Sequence, residues 1–170
     1  MHLPSPVAAR AFLSLAVISG CASFDGRGLV PGQSREADMV TLMGTPSQKI
    51  ALPSGDTALY FSRLPEGRAM FVVTVGPDGV MKSNEQVLVR KNLAAIVAGT
   101  TTKEHVLKLF GPPGRNGRLS LRPLEWWEYK YFDYYDRRIC WVEFSDDGVV
   151  REVVDSLDWE YQRGSRRGKR

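Results

Sequence analysis

A stretch of eighteen residues occurs twice in this chain and constrains its fold more than any other feature. The first copy is Leu29–Pro46, and the second, 67 residues later, is Ile96–Pro113. Few residues are identical, but the matches fall where backbone geometry is most demanding: Gly32 with Gly99, Gly44 with Gly111, and Pro46 with Pro113. Self-similarity at a fixed period indicates a duplicated structural unit.

Each copy predicts a short helix between a turn glycine and a terminating glycine. Ser34 is the predicted N-cap of the first helix, and Gly44 ends it. In the second copy Thr101 and Glu104 have the spacing of a capping box, and Gly111 ends the helix. Both helices carry an apolar stripe at helical spacing. Its members are Met39, Leu42 and Met43, then Val106, Leu109 and Phe110.

Strand-like segments follow each helix, here at an offset of 69 residues that aligns Tyr60 with Tyr129. Apolar alternation and Asp-Gly turns predict three strands in each half. The predicted strands are 57–62, 70–75, 80–83, 125–135, 138–145 and 149–154. Residues 46–53 and the polar run 115–123 are predicted to be loops.

The N-terminus has the pattern of a secretory signal over residues 1–20. One basic residue, Arg10, precedes a short apolar run, and Ser19-Gly20-Cys21 follows it. This resembles the bacterial lipobox, which implies cleavage before Cys21 and diacylation of its thiol, with residues 21–28 as a tether. An ordinary signal peptide with an incidental cysteine is the alternative. Several acyl chains on one cysteine anchor a protein stably to a membrane.

The basic charge is concentrated in a C-terminal tail, predicted to be disordered over residues 159–170. The last eight residues contain five Lys and Arg, whereas the whole chain has a net charge of only +4. The rest of the chain is therefore not basic, which argues against nucleic acid as a partner. Contact between the tail and an anionic surface stays open as an alternative to a solvated tail.

The chain lacks the residue patterns that catalysis or metal binding would need. After removal of the signal, His105 is the single histidine, and Cys140 is the single cysteine besides Cys21. One histidine and one thiol do not supply the usual ligand combinations of a zinc site. The sequence therefore predicts no catalytic residues, no metal site, no cofactor and no enzymatic activity.

The spacing of glycines, prolines and aromatic residues resembles the SmpA/OmlA (BamE-like) outer-membrane lipoproteins. The matching residues are Ile96–Pro113, Trp127-Glu128-Tyr129 and 140–150, with a looser match in the first half. Two such units, 29–90 and 91–158, resemble the tandem arrangement of the β-lactamase inhibitor protein. The resemblance implies an α+β fold of two tandem helix-hairpin units, whose antiparallel sheet has helices packed on one face.

Strand alternation and the resemblance together indicate a candidate binding face. If Trp127 faces the core, Trp126 and Phe132 point the other way and share a sheet face with Trp141. Exposed aromatic residues among charges are typical of protein-binding hot spots, although loops or the tail covering this face would leave them merely structural. These three residues are the predicted protein-binding residues.

The predicted function is that of a non-catalytic binding module, anchored by lipid to the outer membrane and facing the periplasm. By resemblance, its partners are envelope proteins, including the outer-membrane β-barrel assembly machinery, in assembly or maintenance of that membrane. The alternative, implied by the tandem inhibitor arrangement, is an inhibitor or sensor that binds one specific enzyme.

Overall fold

Two four-stranded antiparallel sheets make up most of the molecule. The computed structural model describes residues 24–160. The elements are α1 Glu36–Met43, β1 Gln48–Ala51, β2 Thr57–Ser62, β3 Met70–Val75, β4 Met81–Gln86, α2 Arg90–Leu93, α3 Lys103–Phe110, β5 Arg115–Arg118, β6 Glu125–Asp133, β7 Asp136–Phe144 and β8 Val150–Leu157. Strand order follows the chain in each sheet, β1-β2-β3-β4 and β5-β6-β7-β8.

The predicted α+β arrangement, a sheet of helix-hairpin units with helices packed on one face, is wrong. Strands hold 41% of the described residues and helices 16%. The longer helices, α1 and α3, have eight residues each, which is about 12 Å. Strands β6 and β7 have nine residues each, which is about 30 Å. Helices this short do not form a layer over such sheets.

Two strands, β1 and β5, lie where the sequence predicts loops. Both are edge strands of four residues, paired on one side with β2 and β6. Gln-Lys-Ile-Ala has two apolar residues, Arg-Asn-Gly-Arg has none, and both strands remain partly exposed. An edge strand needs hydrogen bonds to one neighbour only and need not bury a face. The apolar alternation that identifies the inner strands is therefore missing from it.

The first sheet is covered on both faces. On one face, Leu59 and Val73 pack with Met39 and Met43 of α1 in a small apolar cluster. On the other face, Ala58 and Tyr60 belong to the larger core, whose other members come mainly from the second half of the chain.

Helix α3 lies in this larger core, between the two sheets. Its buried residues Val106 and Phe110 pack there with residues of both sheets. The Phe110 ring is 5.6 Å from that of Tyr129. The Tyr129 hydroxyl donates to the Gly111 carbonyl at 3.0 Å, and the Tyr60 hydroxyl donates to the Lys108 carbonyl at 2.7 Å. The two halves therefore share one core around α3.

Both repeat helices begin one residue later than the caps predicted from the sequence. The N-cap of α1 is Arg35 instead of Ser34, and the N-cap of α3 is Thr102 instead of Thr101. The Thr102 hydroxyl accepts a hydrogen bond from the backbone of His105. Thr101 instead accepts from the Val97 backbone N–H at 2.8 Å, which closes the turn before the helix.

The predicted signal peptide at residues 1–20 and the lipid attachment site Cys21 lie outside the described residues. Of the predicted tail, 159–170, only Trp159 and Glu160 are described. Within residues 24–160, no helix has the length and apolar character needed to cross a membrane.

The contact between the halves predicts that the two glycines that end the repeat helices differ in how well they tolerate substitution by alanine. Gly44 and Gly111 both have positive φ, at +87° and +70°, so alanine strains either site by about 1–2 kcal/mol. A Cβ at Gly111 would lie 2.8 Å from the Tyr60 ring, whereas one at Gly44 meets nothing within 4 Å. Gly111→Ala should therefore lower the free energy of unfolding by about 1–3 kcal/mol more than Gly44→Ala.

Denaturant unfolding of the two variants measures this difference. Equal losses would contradict the placement of Tyr60 against the end of α3.

Candidate functional site

The face of the second sheet that points away from the core carries the predicted binding residues. Cross-strand pairing places Trp126 opposite Glu143 and Trp141 opposite Glu128, so the two indoles are diagonal neighbours, with side chains about 7–8 Å apart. Trp127 and Tyr129 point the other way, into the core. We call this surface the outer face. It comprises Arg115, Gly117, Trp126, Glu128, Lys130, Phe132, Arg137, Ile139, Trp141, Glu143, Glu152, Val154 and Ser156.

Trp126 lies flat against an edge strand because its neighbour there is a glycine. Gly117 of β5 pairs with Trp126, and a Cβ on Gly117 would lie 2.7 Å from the indole ring. The ring therefore packs on the backbone of β5 and stays partly exposed. A glycine in a strand interior often marks such a close approach.

Trp141 is positioned by a buried carboxylate that the sequence analysis did not single out. Its indole N–H donates to Glu128 Oε2 at 3.1 Å, and Glu128 is only 5% exposed. The other oxygen, Oε1, accepts no hydrogen bond, and Arg115 Nε lies 3.9 Å from it. The register that sets Glu128 opposite Trp141 comes from the pairing of β6 and β7, and the sequence carries no local signal for it.

Salt bridges connect side chains in the middle of the outer face. Glu160 accepts from Lys130 Nζ at 2.6 Å and from Arg115 at 3.2 Å. These contacts hold the pKa of Glu160 below its usual value, chiefly through the hydrogen bond from Lys130. Lys130 is only 8% exposed, and Ile139 beside it is fully buried. This part of the face is therefore closed, whereas Trp126 and Trp141 remain partly exposed.

Phe132, the third predicted residue, lies at the far end of the outer face and is 47% exposed. The guanidinium groups of Arg68 and Arg137 lie 5.8 Å and 5.9 Å from its ring. Arg68 also donates to the Arg138 carbonyl at 3.2 Å and pairs with Asp158. Phe132 therefore helps to fasten the loop between β2 and β3 to the second sheet. Phe132 is distant from Trp126 and Trp141 along β6 and β7, so it does not belong to the same surface patch as the two tryptophans.

Just beyond Phe132, the β6–β7 turn exposes two tyrosines that the sequence analysis did not predict as a site. Tyr134 and Tyr135 are 93% and 98% exposed, and they are the two residues that connect Asp133 to Asp136. Between the turn and α2 lies a groove of about 530 Å³, lined by Val89, Arg90, Lys91, Ala94, Phe132, Asp133 and Tyr134. Arg90 and Asp133 pair across it at 2.6 Å.

Two groups on the core side of the second sheet, the Cys140 thiol and the Tyr131 hydroxyl, are held in their protonated forms. Burial raises the pKa of the Cys140 thiol to about 12. Burial is also the main reason that the pKa of Tyr131 rises to about 12. Neither group is therefore a nucleophile at neutral pH. His105 is exposed on α3, and within residues 24–160 no cluster of His, Cys, Asp and Glu could hold a metal ion.

Comparison with known proteins finds no matching family profile, no similar curated protein and no similar solved structure. The resemblance to the SmpA/OmlA family stays a hypothesis that rests on the spacing of the repeated motif.

The salt bridges of Glu160 predict a pH-dependent contribution to the free energy of unfolding. Because its folded-state pKa lies below the unfolded value of about 4.3, the stabilisation is present above that value and is lost as pH falls through the folded-state pKa. Glu160→Gln should lower the free energy of unfolding by about 1 kcal/mol at pH 7, at the upper end for solvent-accessible pairs, because Glu160 is partly exposed although Lys130 is buried, and by less as the pH falls.

Denaturant unfolding between pH 7 and pH 3 measures this effect. Glu152→Gln, which changes an exposed carboxylate of β8 on the same face, should have little effect at any pH. A loss for Glu160→Gln that is equal at both pH values would argue against the ionised contact.

Proposed function

We propose that this protein is a lipid-anchored envelope protein that acts, without catalysis, by binding other proteins through the outer face of its second sheet. The observation that carries the proposal is a stripe of partly exposed apolar side chains across three strands. Trp126, Trp141 and Val154 form it, with Trp141 directly opposite Val154 and 37% of Val154 exposed.

The composition of this stripe suits a protein partner. Tryptophan is the residue type most enriched in binding hot spots, where a few aromatic side chains supply most of the affinity. The paired acidic residues Glu143 and Glu152 border the stripe on one side, as a polar rim borders a typical interface. Trp141 is held by Glu128, so binding requires little further ordering of its side chain.

The proposed location is the periplasmic side of the outer membrane, with the lipid attached to Cys21. The lipobox-like Ser19-Gly20-Cys21 supports lipid attachment at Cys21. The resemblance to SmpA/OmlA proteins supports the outer membrane as the location. The same resemblance suggests outer-membrane assembly or maintenance as the process and the β-barrel assembly machinery as a partner. Inhibition or sensing of one enzyme is the competing role, and the identity of the partner separates the two.

A photo-crosslinking residue at Val154 tests the binding face. It should capture an envelope protein in cells, and Trp126→Ala in the same chain should reduce the adduct by about tenfold or more, as expected for a hot-spot tryptophan. Val40 of α1 is the matched control because it is a valine with the same 37% exposure on another surface.

Recovery of assembly-machinery components at Val154 supports the envelope role, and recovery of a single soluble enzyme supports the inhibitor role. The same adducts at Val40 and Val154, or no adduct at Val154, would contradict the proposal that the outer face binds a protein partner.

The anchor is tested by comparing the two cysteines of the chain. Cys21→Ser should move the protein from the membrane fraction to the soluble fraction, because each buried acyl methylene contributes about 0.8 kcal/mol to anchoring. Cys140→Ala should leave fractionation unchanged, since this thiol is buried in the core. Fractionation of both variants with the membrane would rule out lipid attachment at Cys21.

A further inference from the structure

The β6–β7 turn has a conformation that its sequence does not favour. Two-residue hairpin turns need positive φ in at least one central residue and therefore favour glycine and asparagine. Here the position is taken by Tyr134, with φ of 54°, the one non-glycine residue with positive φ within residues 24–160. A side chain with a Cβ disfavours this left-handed conformation.

Folding offers no compensation for this strain. Tyr134 and Tyr135 are 93% and 98% exposed, so their rings contribute almost nothing to the packing of the domain. A glycine at position 134 would relieve the backbone at no cost to the core. The aromatic pair at the tip of the hairpin therefore points to a binding role.

The hairpin that carries the tip is connected to the start of the described chain through the loop between β2 and β3. Arg63 holds Phe24 there, through a 2.9 Å hydrogen bond from Nε to the Phe24 carbonyl and through its guanidinium, 4.9 Å from the ring centre. The Arg63 backbone N–H also donates to the Ala69 carbonyl at 3.0 Å. Arg68, next to Ala69, lies over Phe132 at the base of the hairpin. One closed loop thus contacts both Phe24 and the hairpin.

Cys21 is only three residues before Phe24. Three residues span at most about 10 Å, so an acyl chain on Cys21 brings this end of the domain close to the lipid surface. We infer that Tyr134 and Tyr135 rest in the interface of the membrane that holds the lipid of Cys21. This inference rests on the anchoring proposed above.

The chemistry of the tip suits a lipid interface. Tyrosine has an apolar ring and a polar hydroxyl, and it is enriched at the level of lipid headgroups. A stable protein interface needs about 800 Å² from each partner. Two tyrosines bury at most about 150–250 Å² each, which is too little for a protein partner but enough to orient a domain that acyl chains already hold.

This contact would set the direction of the binding face. Strands β6 and β7 run away from the tip for nine residues each, about 30 Å. With the tip in the interface, the stripe of Trp126, Trp141 and Val154 stands clear of the lipid and stays open to partners.

Two cysteine variants with equal exposure test the inference. Tyr135 and Leu121 are both 98% exposed, but Tyr135 follows β6 and Leu121 precedes it, at opposite ends of the sheet. Tyr135→Cys and Leu121→Cys are made in the full lipidated chain, which is reconstituted into vesicles of phosphatidylethanolamine and phosphatidylglycerol. A membrane-impermeant maleimide then reports the rate of labelling at each position. Cys140 adds little background because it is fully buried.

We expect labelling of Tyr135→Cys to be several-fold slower on vesicles than in the same variant that also carries Cys21→Ser, with no change for Leu121→Cys. Unchanged labelling at both positions in a chain that floats with the vesicles would overturn the inference and leave the anchor intact. Equal slowing at both positions would overturn it as well, because the contact would then not belong to the tip. A chain that does not float would overturn both the anchor and the inference.

Discussion

The C-terminal end of α3 is held from both sides by tyrosine hydroxyls, and the arrangement of the two sheets depends on this contact. Tyr60 of the first sheet donates to the Lys108 carbonyl, and Tyr129 of the second donates to the Gly111 carbonyl. The last carbonyls of a helix have no partner within the helix and are costly to bury unsatisfied. These two bonds therefore let the end of α3 enter the core, where Gly111 leaves no room for a side chain beside Tyr60.

The two copies of the repeated stretch consequently have different roles. Helix α3 packs between the sheets, whereas α1 packs on the other face of the first sheet with its own apolar cluster. At the end of α1, the carbonyl of Met43 accepts from Arg63, and the space beside Gly44 is open. Arg63, which follows β2, also holds Phe24, so the first copy contacts the residue that fastens the incoming chain, whereas the second copy contacts both sheets.

The proposed binding surfaces lie in the second half because its core-facing side is already occupied. Tyr129 and Trp127 fill the shared core, which leaves Trp126 and Trp141 on the outer face. The same hairpin carries the tyrosine pair at its tip. The proposed face for protein partners and the proposed tip for the lipid interface thus belong to one pair of strands, in which the β6–β7 register sets their separation.

The local features of this protein follow from its sequence. Gly44 and Gly111 end the repeat helices, β2 and β3 occupy the predicted residues, and alternation placed Trp126, Phe132 and Trp141 on one face, because these outcomes depend on backbone geometry and a period of two. Features without a local signal come from the tertiary structure. The edge strands β1 and β5 depend on a neighbour for their hydrogen bonds, so the sequence predicts loops there, and it underestimates the share of strand relative to helix. The burial of Glu128, the shared core around α3 and the exposure of Tyr134 and Tyr135 depend on contacts between residues distant in the chain, which no local pattern contains.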